Sequence, residues 1–130
     1  VTQTQNKILN LVGGGLNKIP SIVFSQVNLE ELNVSHNQLM GSIQSEIKQL
    51  ENLKILDASY NNMTGVPAEI GQLRNLQVLN LSHNLLTGLP RELGNLDNLK
   101  ILDLRGNKYS KQDLDYIRTQ LPLSVNIIVD

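Results

Sequence analysis

Residues 76–90 read LQVLNLSHNLLTGLP, with leucines at Leu76, Leu79, Leu81 and Leu86, an asparagine at Asn84, and Gly88 ahead of Leu89 and Pro90. Spacing by three and then by two fits neither the period of a pure helix nor that of a pure strand. The same spacing returns at Leu53, Leu56, Ala58, Asn61, Met63 and at Leu99, Leu102, Leu104, Asn107, Tyr109. Upstream it is Leu29, Leu32, Val34, Asn37, Leu39. The four asparagines step by 24, 23 and 23 residues, the length of one solenoid unit. A weaker copy opens the chain with Leu9, Leu11 and Leu16, where Gly14 takes the asparagine place. A remnant closes it, with Val125 and Ile127 expected at the strand leucines and Asp130 in the asparagine position.

In the xxLxLxx segment the two leucines face one side and the intervening residues the other, as a short strand requires. Strands are expected at 8–12, 31–35, 55–59, 78–82 and 101–105, with a last one at 125–128. A unit of this size cannot bury an apolar face alone; stacking units makes a parallel sheet in front of a continuous leucine core. A buried asparagine amide both donates and accepts, so Asn37, Asn61, Asn84 and Asn107 are expected to tie turn backbone between neighbouring coils. Gly14 cannot do this, and the first coil is expected to be looser or to take its hydrogen bonds from a cap.

The return path carries GSIQSEIKQL, GVPAEIGQL and GLPRELGNL. Gly41, Gly65 and Gly88 suit a backbone reversal, and Pro67 and Pro90 suit the first turn of a short helix. Ile47 with Leu50, Ile70 with Leu73, and Leu93 with Leu96 recur at helical spacing toward the core.

Four copies of LxxLxLxxN in register resemble a leucine-rich repeat protein, and the resemblance covers nearly all of the chain. The family implies an α/β solenoid: a right-handed superhelix with a parallel sheet on the concave face and short helices or helical turns on the convex face. Residues 1–130 are then one domain of about five repeats, with 110–130 as a C-terminal capping helix and edge strand. The GxIP-like return path is similar to plant-type repeats, while the 23-residue GLPxxLGxLxxL form is closer to bacterial small leucine-rich proteins and Ras-suppressor-like proteins. Gln44 stands where a proline is expected, and the cysteine caps of many secreted members are missing.

Composition agrees with a solenoid. Hydrophobic residues are 40% of the 130 but aromatic ones only 3%, so stacked aliphatics must fill the interior. Lys plus Arg is 11 against Asp plus Glu at 12, a balance with no electrostatic bias toward nucleic acid or an anionic membrane. With no cysteine there are no disulfide caps, thiolate metal sites or thiol chemistry. That suits a cytoplasmic protein and equally a cysteine-less secreted or cell-surface one. No apolar run approaches the roughly 20 residues needed to span a bilayer, and no signal peptide is visible from Val1 onward.

Both ends of a solenoid need covering. In SKQDLDYIRTQL, residues 110–121, Leu114, Ile117 and Leu121 form one apolar face, and Ser110 with Asp113 resembles a capping box. Pro122 stops the helix, an edge strand follows, and Asp130 blunts further pairing. At the other end VTQTQNK is polar, Gly13-Gly14-Gly15 has no side chains to pack, and Val23, Phe24 and Val27 are expected to seal part of the first coil.

Chemistry has few candidates. His36 and His83 share a repeat position with Tyr60 between them, so they should stand about 10 Å apart, two strand steps of 4.8 Å. One zinc with bonds of about 2 Å does not bridge that gap. Ser35, Ser59 and Ser82 beside Asp57 and Asp103 belong to the repeat pattern rather than to a triad. The triple glycine lacks the lysine and Ser/Thr of a phosphate loop. Asn33, Asn62 and Asn80 begin N-x-S/T triplets, two of them products of the repeat itself. The chain therefore reads as non-catalytic, without cofactor or metal.

What remains is the outward face of the sheet. In column order it presents Ile8, Glu31, Ile55, Val78, Ile101; then Asn10, Asn33, Asp57, Asn80, Asp103; then Val12, Ser35, Ser59, Ser82, Arg105; then Gly13, His36, Tyr60, His83, Gly106. An aliphatic strip beside an amide-carboxylate strip and a His-Tyr-His ridge makes a protein or peptide contact surface. Tyr60 is its best single contact, since tyrosine is enriched at binding hot spots. The alternative is a structural or self-associating module of a larger surface or receptor-like protein, joined through its open ends.

Overall fold

The computed structural model describes residues 7–130. Six of the seven residues of the polar opening stretch VTQTQNK therefore lie outside the described residues. In chain order the elements are β1 (Ile8–Asn10), β2 (Glu31–Asn33), β3 (Met40–Gly41), β4 (Ile55–Asp57), β5 (Asn62–Met63), β6 (Val78–Asn80), β7 (Ile101–Asp103), α1 (Lys111–Gln120) and β8 (Asn126–Ile128). Four five-residue 3-10 turns intervene at Ser21–Ser25, Ser45–Gln49, Ala68–Gln72 and Arg91–Asn95. One parallel sheet runs β1-β2-β4-β6-β7-β8, and β3 pairs with β5 beside it.

The spacing of the leucines dictates this arrangement. Leu9, Leu32, Leu56, Leu79, Leu102 and Ile127 lie directly opposite one another across the sheet. Leu56, Leu79 and Leu102 are fully buried, as are Ile47, Leu50, Ile70, Leu73, Leu93 and Leu96 from the return path. Each fully buried aliphatic of this size contributes about 1.5–3 kcal/mol, so the interior is one column of stacked coils. The α/β solenoid holds, with a concave parallel sheet and 3-10 turns as the convex side. The strands β1, β2, β4, β6 and β7 are three residues long rather than five, because the chain begins to turn at the asparagine or aspartate that ends each of them.

That turn is held by the amide ladder. Asn61 Nδ2 donates to the carbonyls of Ala58 and Ser59 in its own coil and of Val34 in the preceding one, each at 3.1 Å. Its Oδ1 accepts from Leu39 N at 3.0 Å. Asn37, Asn84 and Asn107 repeat the pattern, accepting from Leu16, Met63 and Leu86 N respectively. The first coil thus receives its bonds from Asn37 of the second, which also donates to Leu11 O at 2.9 Å. A second amide ladder runs along the convex side, where Asn52, Asn75 and Asn98 donate to Val27, Glu51 and Arg74 carbonyls at 3.1, 2.9 and 2.7 Å. Its asparagines recur every 23 residues, outside the LxxLxLxxN pattern.

Several local expectations are corrected. Pro67 and Pro90 sit one residue before their turns, as extended N-caps rather than first-turn residues. Gln44 takes that place in the 24-residue unit, and its Nε2 donates to Ile19 O at 2.6 Å. Of Gly41, Gly65 and Gly88, only Gly41 adopts a positive φ, at 66°. Gly71 and Gly94 have a different requirement: a Cβ on Gly71 would stand 2.5 Å from the backbone oxygen of Glu92 in the next coil, and one on Gly94 would stand 2.5 Å from Cβ of Gln120 in α1, so neither position has room for a side chain. Val23 and Phe24 do fill the first coil, but Val27 is exposed.

At the C-terminus Ser110 Oγ accepts from Asp113 N at 3.1 Å, and Leu114, Ile117 and Leu121 are buried. The Asp113 carboxylate does not close a capping box; its Oδ2 accepts from Leu89 N at 3.1 Å and docks the helix on the preceding turn. The last strand is two residues out of the expected register. Ile127 faces Leu102 and Ile128 faces Asp103, so Asp130 comes level with Arg105, not Asn107. It accepts from Gly106 N at 2.9 Å, replacing a ladder carbonyl with a carboxylate.

Asn61→Leu keeps the branched shape but strands the Leu39 amide and the carbonyls of two coils. It should lower stability by about 1–3 kcal/mol, read as a reduced urea midpoint with little change in the slope.

Candidate functional site

The concave face is built by strand residues that alternate away from the core. Ile8 is exposed, whereas Glu31, Ile55, Val78 and Ile101 are half-buried, so the aliphatic strip is recessed toward the C-terminal coils. Around its N-terminal end, Ile8, Asn10, Glu31, Asn33, Ile55 and Asp57 line a shallow depression of about 210 Å³.

The second column closes each strand. Oδ1 of Asn10, Asn33, Asp57, Asn80 and Asp103 accepts from the backbone N two residues on, at 2.9–3.2 Å. This is the Asx turn, in which a short side chain substitutes for a backbone carbonyl. In the three middle coils the residue after it lies inward, whereas Val12 and Arg105 in the same column stay exposed. Ser35, Ser59 and Ser82, expected to face outward, are only 4%, 4% and 2% exposed. Oγ of Ser59 and of Ser82 donates to Asp57 and Asn80 Oδ1 at 2.6 Å. Neither histidine joins these pairs, so no nucleophile meets a base. Among the described residues no three His, Cys, Asp or Glu side chains are grouped to hold a metal.

Asp103, expected in the outward panel, is instead closed over. It is 4% exposed, and Arg105 grips it with Nε to Oδ1 at 3.0 Å and NH2 to Oδ2 at 2.7 Å. Burial pushes its carboxyl up, but the guanidinium and the Arg105 backbone N–H outweigh this, and the net shift is below the ordinary carboxylate value. Asp57, in the same column, accepts from the backbone N and the hydroxyl of Ser59 and stays half-buried.

The fourth column departs from extended strand backbone. His36, Tyr60 and His83 have φ of 55°, 56° and 56°, in the left-handed region, and Gly13 and Gly106 share it at 69° and 72°. Bulky residues adopt this conformation at a cost of order 1–3 kcal/mol. Their rings stack: His36 on Tyr60 and Tyr60 on His83, each with centroids 4.4 Å apart and planes within 9° and 17°. All three are exposed, Tyr60 at 48%. The signal for this backbone was available in the column itself, since Gly13 and Gly106 occupy the same repeat position.

Leucine-rich repeat profiles match residues 51–108 and 28–50, which together form one unbroken stretch. The chain belongs to the leucine-rich repeat family. A leucine-rich repeat protein of Leptospira interrogans superposes with TM-score 0.86 at 37% identity, over 93% of this chain and 30% of that one. The ectodomain of the receptor kinase SOBIR1 from Arabidopsis thaliana matches with TM-score 0.73 and 27% identity over 93% of this chain and 67% of that one. The plant peptide hormone receptor RGFR1, in complex with RGF2, matches with TM-score 0.69 and 30% identity over 98% of this chain and 26% of that one. The repeat chain thus spans about a third of the Leptospira protein it resembles. No curated protein sequence matches it significantly. Among the described residues no helix is long and apolar enough to cross a membrane.

Asp103 has a lowered folded pKa, so its contribution to stability is present above the ordinary value of 3.8 and is lost as pH falls through the lowered one. Arg105→Ala should raise the Asp103 pKa in a carboxyl NMR titration. The stability gap between the two proteins should be widest near neutral pH and shrink on acidification.

Proposed function

We propose that this chain is a non-catalytic binding module that holds a protein or peptide on its concave sheet. The observation carrying this reading is the ring ridge. Three exposed side chains stand in a strained backbone conformation on a rigid frame, and nothing in the core requires their rings. Strain of this kind, kept in an otherwise regular repeat, is a mark of functional positions. The contact surface combines Ile55, Val78 and Ile101 with Glu31, Asn33, Asp57, Asn80, His36, Tyr60, His83 and Arg105. Asp103 serves it indirectly, by aiming the Arg105 guanidinium. The named relatives support the class of partner: one is a plant peptide hormone receptor, RGFR1, in complex with RGF2.

The mechanism is display. Buried leucines set the spacing of the coils, and the outward residues meet a partner without reordering, so little conformational entropy is lost on binding. Ile55→Asp and Tyr60→Asn test it, asparagine being tolerant of the left-handed backbone. Both should leave the circular dichroism spectrum unchanged. Each should weaken capture of a partner identified by pull-down by about tenfold or more, as for a hot-spot residue; unchanged capture would reject this face.

A second reading, self-association through the β1 edge, rests on Leu9, Leu11 and Leu16, which are only half-buried while their counterparts in later coils are sealed. Sedimentation velocity should then show concentration-dependent size, abolished by Leu9→Lys. A monomer at all concentrations counts against it.

A further inference from the structure

The two ends of the ring stack differ. At the C-terminal end a Cβ on Gly106 would stand 2.7 Å from Nδ1 of His83, so that ring rests against the Gly106 backbone and no side chain fits beside it. At the other end the coil next to His36 presents Gly13, Gly14 and Gly15, three residues without side chains. A Cβ on Gly13 or on Gly15 would meet nothing within 4 Å. The outer face of the His36 imidazole is therefore covered by no side chain from Gly13–Gly15, while its inner face lies on Tyr60 at 4.4 Å. Val12, the residue before Gly13, is exposed and adds apolar surface to this coil.

We infer that the space over Gly13, against His36, is a slot for one planar aromatic side chain of a bound protein or peptide, which extends the internal stack by a fourth ring. The chain itself shows the fit. Tyr60 occupies one rung between two histidines with nearly parallel planes, and a tyrosine set over Gly13 would make the same contact with the face of His36 turned away from Tyr60. Offset ring pairs at this separation are favourable beyond the area they bury. Glycine at position 13 has two uses here: it accepts φ of 69°, and it leaves the rung empty of a Cβ. The slot rests on the reading of the concave face as a peptide-binding surface and names the side-chain chemistry at its N-terminal end.

The test uses a probe rather than an unidentified partner, so it fails separately from that reading. N-acetyl-tyrosine amide is titrated into the whole chain, with N-acetyl-alanine amide as control, while the imidazole Cε1–H signals of His36 and His83 are followed by NMR. The tyrosine probe should move the His36 signal upfield by ring current and leave His83 in place. Gly13→Asn, which tolerates the backbone and fills the rung, should abolish the shift. His36→Asn should weaken probe binding, read from Val12 methyl signals, about three- to tenfold. Circular dichroism verifies that both variants fold. Equal movement of both histidines, no movement at all, or a His36 shift that survives Gly13→Asn would overturn the slot.

Discussion

Everything in this molecule depends on coils lying in register, and the buried amides of Asn37, Asn61, Asn84 and Asn107 hold that register. Each asparagine satisfies carbonyls of two coils and one amide of the preceding coil, at distances of 2.9–3.3 Å. A turn buried between coils has no water to pair its backbone, and an unsatisfied group there is costly. With these bonds made, leucine can stack on leucine across the whole chain, and no buried side-chain nitrogen or oxygen among the described residues lacks a partner. The convex ladder of Asn52, Asn75 and Asn98 does the same at the back of the coils.

A stiff frame makes the outward side chains a fixed pattern instead of a set of mobile groups. The Asx turns take the second column's oxygens for the backbone and carry the serines inside. The following residue is then forced into the left-handed region, where its side chain stands up from the rim of the sheet. Three such residues one coil apart can only stack. The ring ridge is thus a consequence of the turn that the asparagine or aspartate begins, and its exposure is what makes it available to a partner.

The leucine and asparagine positions of each coil were legible because they repeat, and so were the concave placement of Ile55, Val78 and Ile101 and the alignment of His36, Tyr60 and His83. Misreadings arose where an atom had two uses. Ser59 reads as an outward strand residue until the carboxylate of Asp57 draws its hydroxyl in. Asp103 reads as a surface acid like Asp57, and only the neighbouring Arg105 closes it over. Asp130 counts to the asparagine position, but β8 follows a full α-helix instead of a 3-10 turn, which shifts its register by two residues.

The amino-acid sequence by itself determined the solenoid, its period and which side chains enter its core, because these follow from local spacing repeated until stacking is the only way to bury it. Tertiary structure alone decided the left-handed column, the pairing of Asp103 with Arg105, and the stacking of His36, Tyr60 and His83. Those depend on what an adjacent coil places within a few ångströms, and residues about 23 positions apart in the chain become neighbours only once the coils have closed on one another.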